Sequence, residues 1–176
     1  FDEIAEMSRR FANVLKADGL ERGDRVAVFL SQSLELPIAH VAAFRSGLIS
    51  IPLFALFGED ALEFRLSNSQ AKAIITDEAG WEKLAKISDR LPELKNVYVI
   101  GDRANPVTKS FWASLKGASP DFATVDTSAD DPCLIIYTSG TTGNPKGALH
   151  AHRVVLGHLP NVEMCHDFIP KPGDLM

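Results

Sequence analysis

The sequence predicts an α/β fold, a mostly parallel sheet flanked by helices. Three observations carry that prediction. Short apolar runs alternate with amphipathic stretches at helical spacing, the pattern of βαβ units. The apolar fraction is 45% over 176 residues, which provides the core of one ordinary domain or slightly more. A glycine-rich polar segment directly follows one of the strand-like runs, where an open parallel sheet holds its ligands.

The elements follow in order. Phe1, Ile4, Met7, Phe11, Val14 and Leu15 recur at helical spacing, and Gly19 is the stop signal. "RVAVFL" (25–30) reads as a short buried strand. "LELPIAHVAAFRSG" (34–47) reads as a helix with small residues on its packing face, and "ISIPLF" (49–54) as the next strand. Pro52 lacks an amide donor, which places that strand towards an edge or a bend. A helix over 59–69, a strand over 71–76, a helix over 80–91 and a strand over 96–101 continue the alternation. "SFWASLKG" (110–117) is a short helix inside a Pro-, Ser-, Asp- and Ala-rich surface connection over 101–132. "CLIIY" (133–137) is a strand, "GALHAH" (147–152) alternates like another, and a helix begins near Arg153.

Charge and composition exclude several functions. A net charge of −5 argues against general nucleic-acid binding, which needs clustered Lys and Arg. No apolar run reaches the length of a membrane span. Cys133 and Cys165 form no CxxC pair, which suits a reducing compartment such as the cytoplasm. The chain lacks an initiator Met, opens with no signal-peptide pattern and stops at "KPGDLM", which suggests a piece of a longer protein.

Between the last two strands lies "TSGTTGNPKG" (138–147). Thr138, Ser139, Thr141 and Thr142 supply hydroxyl donors; Gly140, Gly143 and Gly147 permit unusual backbone angles and close approach of amides to a ligand. Lys146 adds a flexible point charge. From Cys133 to Val162 there is no Asp or Glu, whereas Lys146 and Arg153 remain, so an anion would meet a locally neutral-to-positive zone within an acidic chain. A plain solvated turn is the competing explanation, but hairpin loops usually run about 2–5 residues and need no such density of hydroxyls beside a lysine. The segment is not a Walker loop, because Pro145 precedes Lys146 where that motif needs Gly; nor does it contain G-x-G-x-x-G or a nucleophile elbow. It joins strand to strand, so phosphate binding would rest on loop amides, hydroxyls and Lys146 rather than on a helix dipole.

"YTSGTTGNPKG" (137–147) closely resembles the phosphate-loop signature of the adenylate-forming, or AMP-binding, superfamily, which includes acyl-CoA synthetases, aryl-CoA ligases, peptide-synthetase adenylation domains and beetle luciferases. The early "FDEIAEMSRRFANVLKADGLERGDRVAVFL" resembles the family's first helix leading into its G-D-R-V strand, and "GLISIPLF" and "LEFRLSNSQAKAIITD" resemble the elements that follow. The resemblance implies that residues 1–176 are an incomplete N-terminal portion of an AMP-binding domain, with no second domain in this chain. It implies a two-step ligase acting on a small-molecule carboxylic acid with ATP, Mg2+ and CoA. Thr138, Ser139, Gly140, Thr141, Thr142 and Gly143 carry over as the phosphate-binding turn, Lys146 as the loop lysine in a supporting catalytic role, and Gly147 as the exit. His152 falls where the family often has His or another polar residue. The adenine-contacting motif, the magnesium-binding acid, the hinge and the C-terminal catalytic lysine would lie beyond Met176. The sequence around 146–174 resembles synthetases for short- or medium-chain aliphatic acids; an amino-acid adenylation domain and a non-catalytic nucleotide-binding module are the alternatives.

Other clusters carry less. His150, His152, His158, Cys165 and His166 lack finger spacing and an accompanying carboxylate, so ordinary polar positions around a site mouth are expected rather than a metal centre. Trp81, Trp112, Phe54, Phe57 and Phe111 are expected in the core or at its edge. The first helix could instead present its apolar face to a partner.

Overall fold

The alternation of strand and helix assembles as βαβ units, and the computed structural model describes residues 1–101, 106–138 and 143–165. The N-terminal helix α1 (Asp2–Ala17) sets the pattern. Its spacing puts Phe11, Ala12 and Leu15 on one buried face. Phe11 meets Tyr98 edge-on at 5.1 Å between ring centroids and Phe111 at 4.8 Å. Each such side chain contributes about 1.5–3 kcal/mol on burial, so this face is core and offers nothing to a partner; only Phe1 stands free. Gly19 ends the helix at φ +82°, and the Leu20 amide returns to the Leu15 carbonyl at 3.1 Å.

Strands β1 (Arg25–Phe29), β2 (Ile49–Leu53), β3 (Ala73–Asp77), β4 (Asn96–Ile100), β5 (Lys109–Ser110), β6 (Pro132–Thr138) and β7 (Lys146–Ala151) form one sheet in the order β5-β4-β3-β1-β2-β6-β7. All pairs are parallel except β6 with β7. Helices α2 (Glu35–Arg45), α3 (Glu59–Ser69), α4 (Glu78–Leu84), α5 (Phe111–Gly117) and α6 (Arg153–Cys165) complete the alternation. One core lies between the sheet and α1, α2 and α5, around Val26, Val28, Ile75 and Tyr98. The other lies under α3 and α4, around Ala27, Phe29, Ile51, Leu62 and Ile74. Successive residues of β1 thus point into opposite cores, which is why "VAVF" is apolar throughout.

Three expectations need correction. Pro52 does not place β2 at an edge: the strand is interior, between β1 and β6. The Ile49 amide donates to Asp24 on the β1 side at 2.8 Å, so backbone groups an odd number of residues on face the other way, and Pro52 faces β6. The missing donor is therefore lost from the β2–β6 pairing, whose register is confined to Ser50 opposite Leu134. The helix expected over 80–91 begins at Glu78, because the Asp77 carboxylate accepts the Gly80 amide at 2.7 Å, and ends at Leu84. Beyond it, tight turns and a 3-10 segment (Ser88–Arg90) keep Ile87 and Leu91 buried. Finally, Phe54 is exposed rather than core, packing edge-on against Phe57 at 5.9 Å, whereas Phe111 is fully buried.

Candidate functional site

β6 runs parallel to β2 and leaves the sheet at its C-terminal edge, then returns as β7. The hairpin register pairs Thr138 with Lys146 and Tyr137 with Gly147. The two ends of the polar segment are thereby cross-strand neighbours at the edge where parallel sheets hold ligands. Of the expected phosphate-binding residues, Thr138, Gly143, Lys146 and Gly147 are brought together at this edge or in the hairpin; Ser139, Gly140, Thr141 and Thr142 lie outside the described residues. Lys146 belongs to β7 rather than to the loop, so its backbone is fixed by the ladder while its exposed side chain remains free to follow an anion.

Two glycines serve different ends. Gly143 has φ +102°, a conformation that side chains rarely adopt, as expected for a turn. Gly147 has no positive φ and sits in β7. Its need is steric: a Cβ there would meet Ile135 Cγ2 at 2.9 Å and Tyr137 Cζ at 3.3 Å. The freedom expected of Gly147 is thus a close approach to a tyrosine ring and not an unusual backbone angle.

Charge around the hairpin is narrower than the sequence suggests. Arg153 pairs with Asp130, so its charge is offset at the start of α6. Lys146 has no ion-pair partner among the described residues. His150 lies in β7 opposite Leu134, whereas His152 falls past its end, with its ring 6.2 Å from that of Phe44. Among the described residues no group of three or more His, Cys, Asp or Glu is placed to hold a metal ion.

Tyr137, which opens the quoted motif but was given no role, frames the hairpin stem together with Asn68, Arg65 and Phe57, which no local motif indicated. Tyr137 donates its hydroxyl to Asn68 Oδ1 at 2.8 Å and to the Arg65 carbonyl at 3.3 Å, both on α3. Burial raises its phenol pKa above the ordinary value, which keeps it a neutral donor. The Arg65 guanidinium lies 4.0 Å from the Phe57 ring centroid and 5.7 Å from that of Tyr137. These contacts join positions about seventy residues apart, and no spacing rule reaches that far. A cavity of about 410 Å³ between Lys16, Leu20, Arg22 and Val125 lies at the opposite end of the sheet, before β1 begins, away from this chemistry.

The family described as "AMP-binding enzyme" matches residues 1–176. The chain is 38% identical over 161 residues to an acetyl-coenzyme A synthetase of Bacillus subtilis (strain 168), covering 89% of this chain and 27% of that protein. It is 35% identical over 157 residues to the human mitochondrial acyl-coenzyme A synthetase ACSM1, again covering 89% and 27%. Among solved structures, ATP-bound MatB from Rhodopseudomonas palustris superposes with a TM-score of 0.79 at 31% identity, over 93% of this chain and 31% of that one. The chain therefore spans roughly a quarter to a third of the length of the proteins it matches.

Proposed function

The chain belongs to the AMP-binding enzyme family, and from that premise we propose that it forms the first part of the AMP-binding domain of an AMP-forming acyl-CoA synthetase. The observation that carries the reading is the β6–β7 hairpin, with Thr138 opposite Lys146 at the C-terminal edge of a parallel sheet. In the proposed reaction a carboxylate oxygen attacks the α-phosphorus of ATP. The bond to the bridging oxygen breaks, giving an acyl-adenylate and pyrophosphate. The CoA thiol then attacks the acyl carbon, and AMP leaves as the thioester forms. The chain's part is to hold the β- and γ-phosphates through Thr138, Ser139, Gly140, Thr141, Thr142, Gly143 and Lys146, so that pyrophosphate departs in line with the attack. Chemistry of this kind is largely positioning and charge stabilisation.

Mg2+ is part of the proposal as the ion that accompanies the ATP phosphates, its protein ligand being expected outside the described residues, among which no metal-ligating cluster is placed. CoA, rather than a carrier protein, is supported as thiol by relatives named as CoA synthetases. A short- or medium-chain aliphatic acid is the favoured substrate class, supported by a relative named for acetyl-CoA. No helix among the described residues is long and apolar enough to cross a membrane, and a cytoplasmic location is part of the proposal.

Two measurements on the full-length protein test this. Pyrophosphate release should appear with acids near the acetate end of a panel running to long chains, and CoA should be consumed. Lys146→Ala should slow carboxylate-dependent ATP–pyrophosphate exchange by on the order of 10- to 100-fold, with the fold intact. That is below the loss of a rigid donor, because a lysine follows its anion on a flexible stem. Unchanged exchange in Lys146→Ala would remove the lysine from the proposed role.

A further inference from the structure

We propose that Tyr137 and Asn68 form a latch tying the end of β6 to α3, which makes them positioning residues for the triphosphate. The proposal rests on the acyl-adenylate reading for its ligand; the latch itself rests on geometry. β6 is weakly held by the parallel sheet, because its register with β2 is confined to Leu134 opposite Ser50 and Pro52 presents no amide towards it. Beyond Leu134 its one continuous backbone partner is β7, itself at the sheet's edge. A hairpin held only by its own ladder is free to swing relative to the sheet.

The hydroxyl of Tyr137 supplies the missing tie. It reaches across to Asn68 Oδ1 at 2.8 Å and to the Arg65 carbonyl at 3.3 Å, one residue before Thr138. Its ring fills the space that Gly147 leaves by lacking a Cβ, so both strands of the stem are indexed to one side chain. The Arg65 guanidinium lies over the Phe57 ring and within 5.7 Å of the Tyr137 ring centroid; its buried Nε has no hydrogen-bond partner among the described residues. A tyrosine serving only as core would not need its hydroxyl. Here the hydroxyl is what bonds the stem to α3, with Asn68 Oδ1 the nearer acceptor and the Arg65 carbonyl the farther.

The full-length protein carrying Tyr137→Phe keeps the ring and loses the tie. Asn68→Ala loses the nearer acceptor and leaves only the longer reach to the Arg65 carbonyl, whereas Asn68→Asp keeps the nearer acceptor. In pyrophosphate exchange, Tyr137→Phe and Asn68→Ala should each raise the KM for ATP about 3- to 10-fold, the range that one hydrogen bond spans. The KM for the carboxylate should be unchanged, Asn68→Asp should restore the ATP value, and the double variant should be no worse than Tyr137→Phe alone. Amide hydrogen exchange of Thr138 and Lys146, the last cross-strand pair of the ladder, should be faster in both weakened variants, a readout that needs no activity. Faster exchange with an unshifted ATP KM overturns the positioning role, and unchanged amide exchange overturns the latch. If the wild type shows no pyrophosphate exchange, the acyl-adenylate reading fails while amide exchange still decides the latch.

Discussion

His40 shows how much one buried side chain sets. It stands on α2 with Nδ1 2.7 Å from the Ser50 hydroxyl on β2, and its ring stacks on Phe44 at 6.4 Å. Ser50 is fully buried, and burial lowers the His40 pKa below its ordinary 6.5, which favours the neutral imidazole in the folded protein. In the unfolded chain the same group takes up a proton as pH falls through about 6.5. The unfolded state then binds more protons than the folded one, and stability is lost as pH drops below that value; above it the contribution is complete. The slope is at most about 1.4 kcal/mol per pH unit, or about 2–4 °C per kcal/mol in a chain of this size. Thermal unfolding from pH 7.5 to 5.5 should show the wild type losing ground relative to His40→Gln. Parallel curves would show that His40 is not the titrating group. Nothing in the sequence around "ELPIAHVAAF" sets His40 apart, because its partner is on the next strand. Gly147 was expected to be a glycine for its backbone freedom, but the need the structure shows is steric: the Tyr137 ring that excludes a side chain becomes visible only once the hairpin register is known.

At the scale of elements, the connection that follows α5 is the feature least legible from pattern. It has no regular structure over 118–127, and it is strapped to the helices by their polar side chains. Arg10 donates to the Ala118 carbonyl, Asn13 to the carbonyls of Ser119 and Asp121, and Arg9 to that of Pro120. Val125 bonds back to the Arg45 carbonyl at 2.8 Å. Period-based reading finds helices such as α1 because one face must be buried; it says nothing of which polar residue on the other face reaches a loop about a hundred positions away. The same limit hid β5, two residues long, and misplaced Pro52, whose outward or inward side depends on the register of its neighbours. Asp131 closes the connection. Its carboxylate accepts the Ser128 amide at 2.7 Å and pairs with Arg22, and its carbonyl accepts the His152 amide at 3.0 Å. The Ser128 hydrogen bond foremost, and then the Arg22 charge, hold the carboxyl below its ordinary 3.8 against the opposing effect of burial. A folded pKa below the unfolded one contributes stability above about 3.8 that disappears as pH falls through the folded value. Asp131→Asn should therefore be less stable than the wild type near neutrality, with the gap closing in strong acid. Acid unfolding of the two proteins measures it, and a gap independent of pH would mean that the carboxylate charge contributes nothing.

For the whole molecule, the sheet and its two cores divide the chain unevenly. Strands β1 to β4 are covered on both faces, whereas no residue of α6 is buried, and Val155, Leu156, Leu159 and Met164 stand exposed with Leu149 of β7. The parallel core was legible in advance because each strand had to be apolar throughout and each helix had to show one apolar face. The uncovered β7–α6 side was not, since an apolar helix reads the same whether or not anything covers it. That side bears on ligand binding. Binding sites for nucleotide-sized molecules are concave and enclose most of the ligand, yet Thr138, Lys146 and Gly147 are all exposed at an open edge. The phosphate contacts proposed at this open edge would compete with water and be screened by salt, so they would position a triphosphate better than retain it. The chain of residues 1–176, prepared alone, should therefore bind ATP more weakly than micromolar in titration calorimetry and form no acyl-adenylate with acetate. The full-length protein should bind ATP more tightly and form the acyl-adenylate. Micromolar binding by the 176-residue chain would place the affinity in these residues themselves, and the division between a phosphate hairpin here and the remaining contacts elsewhere in the protein would have to be abandoned.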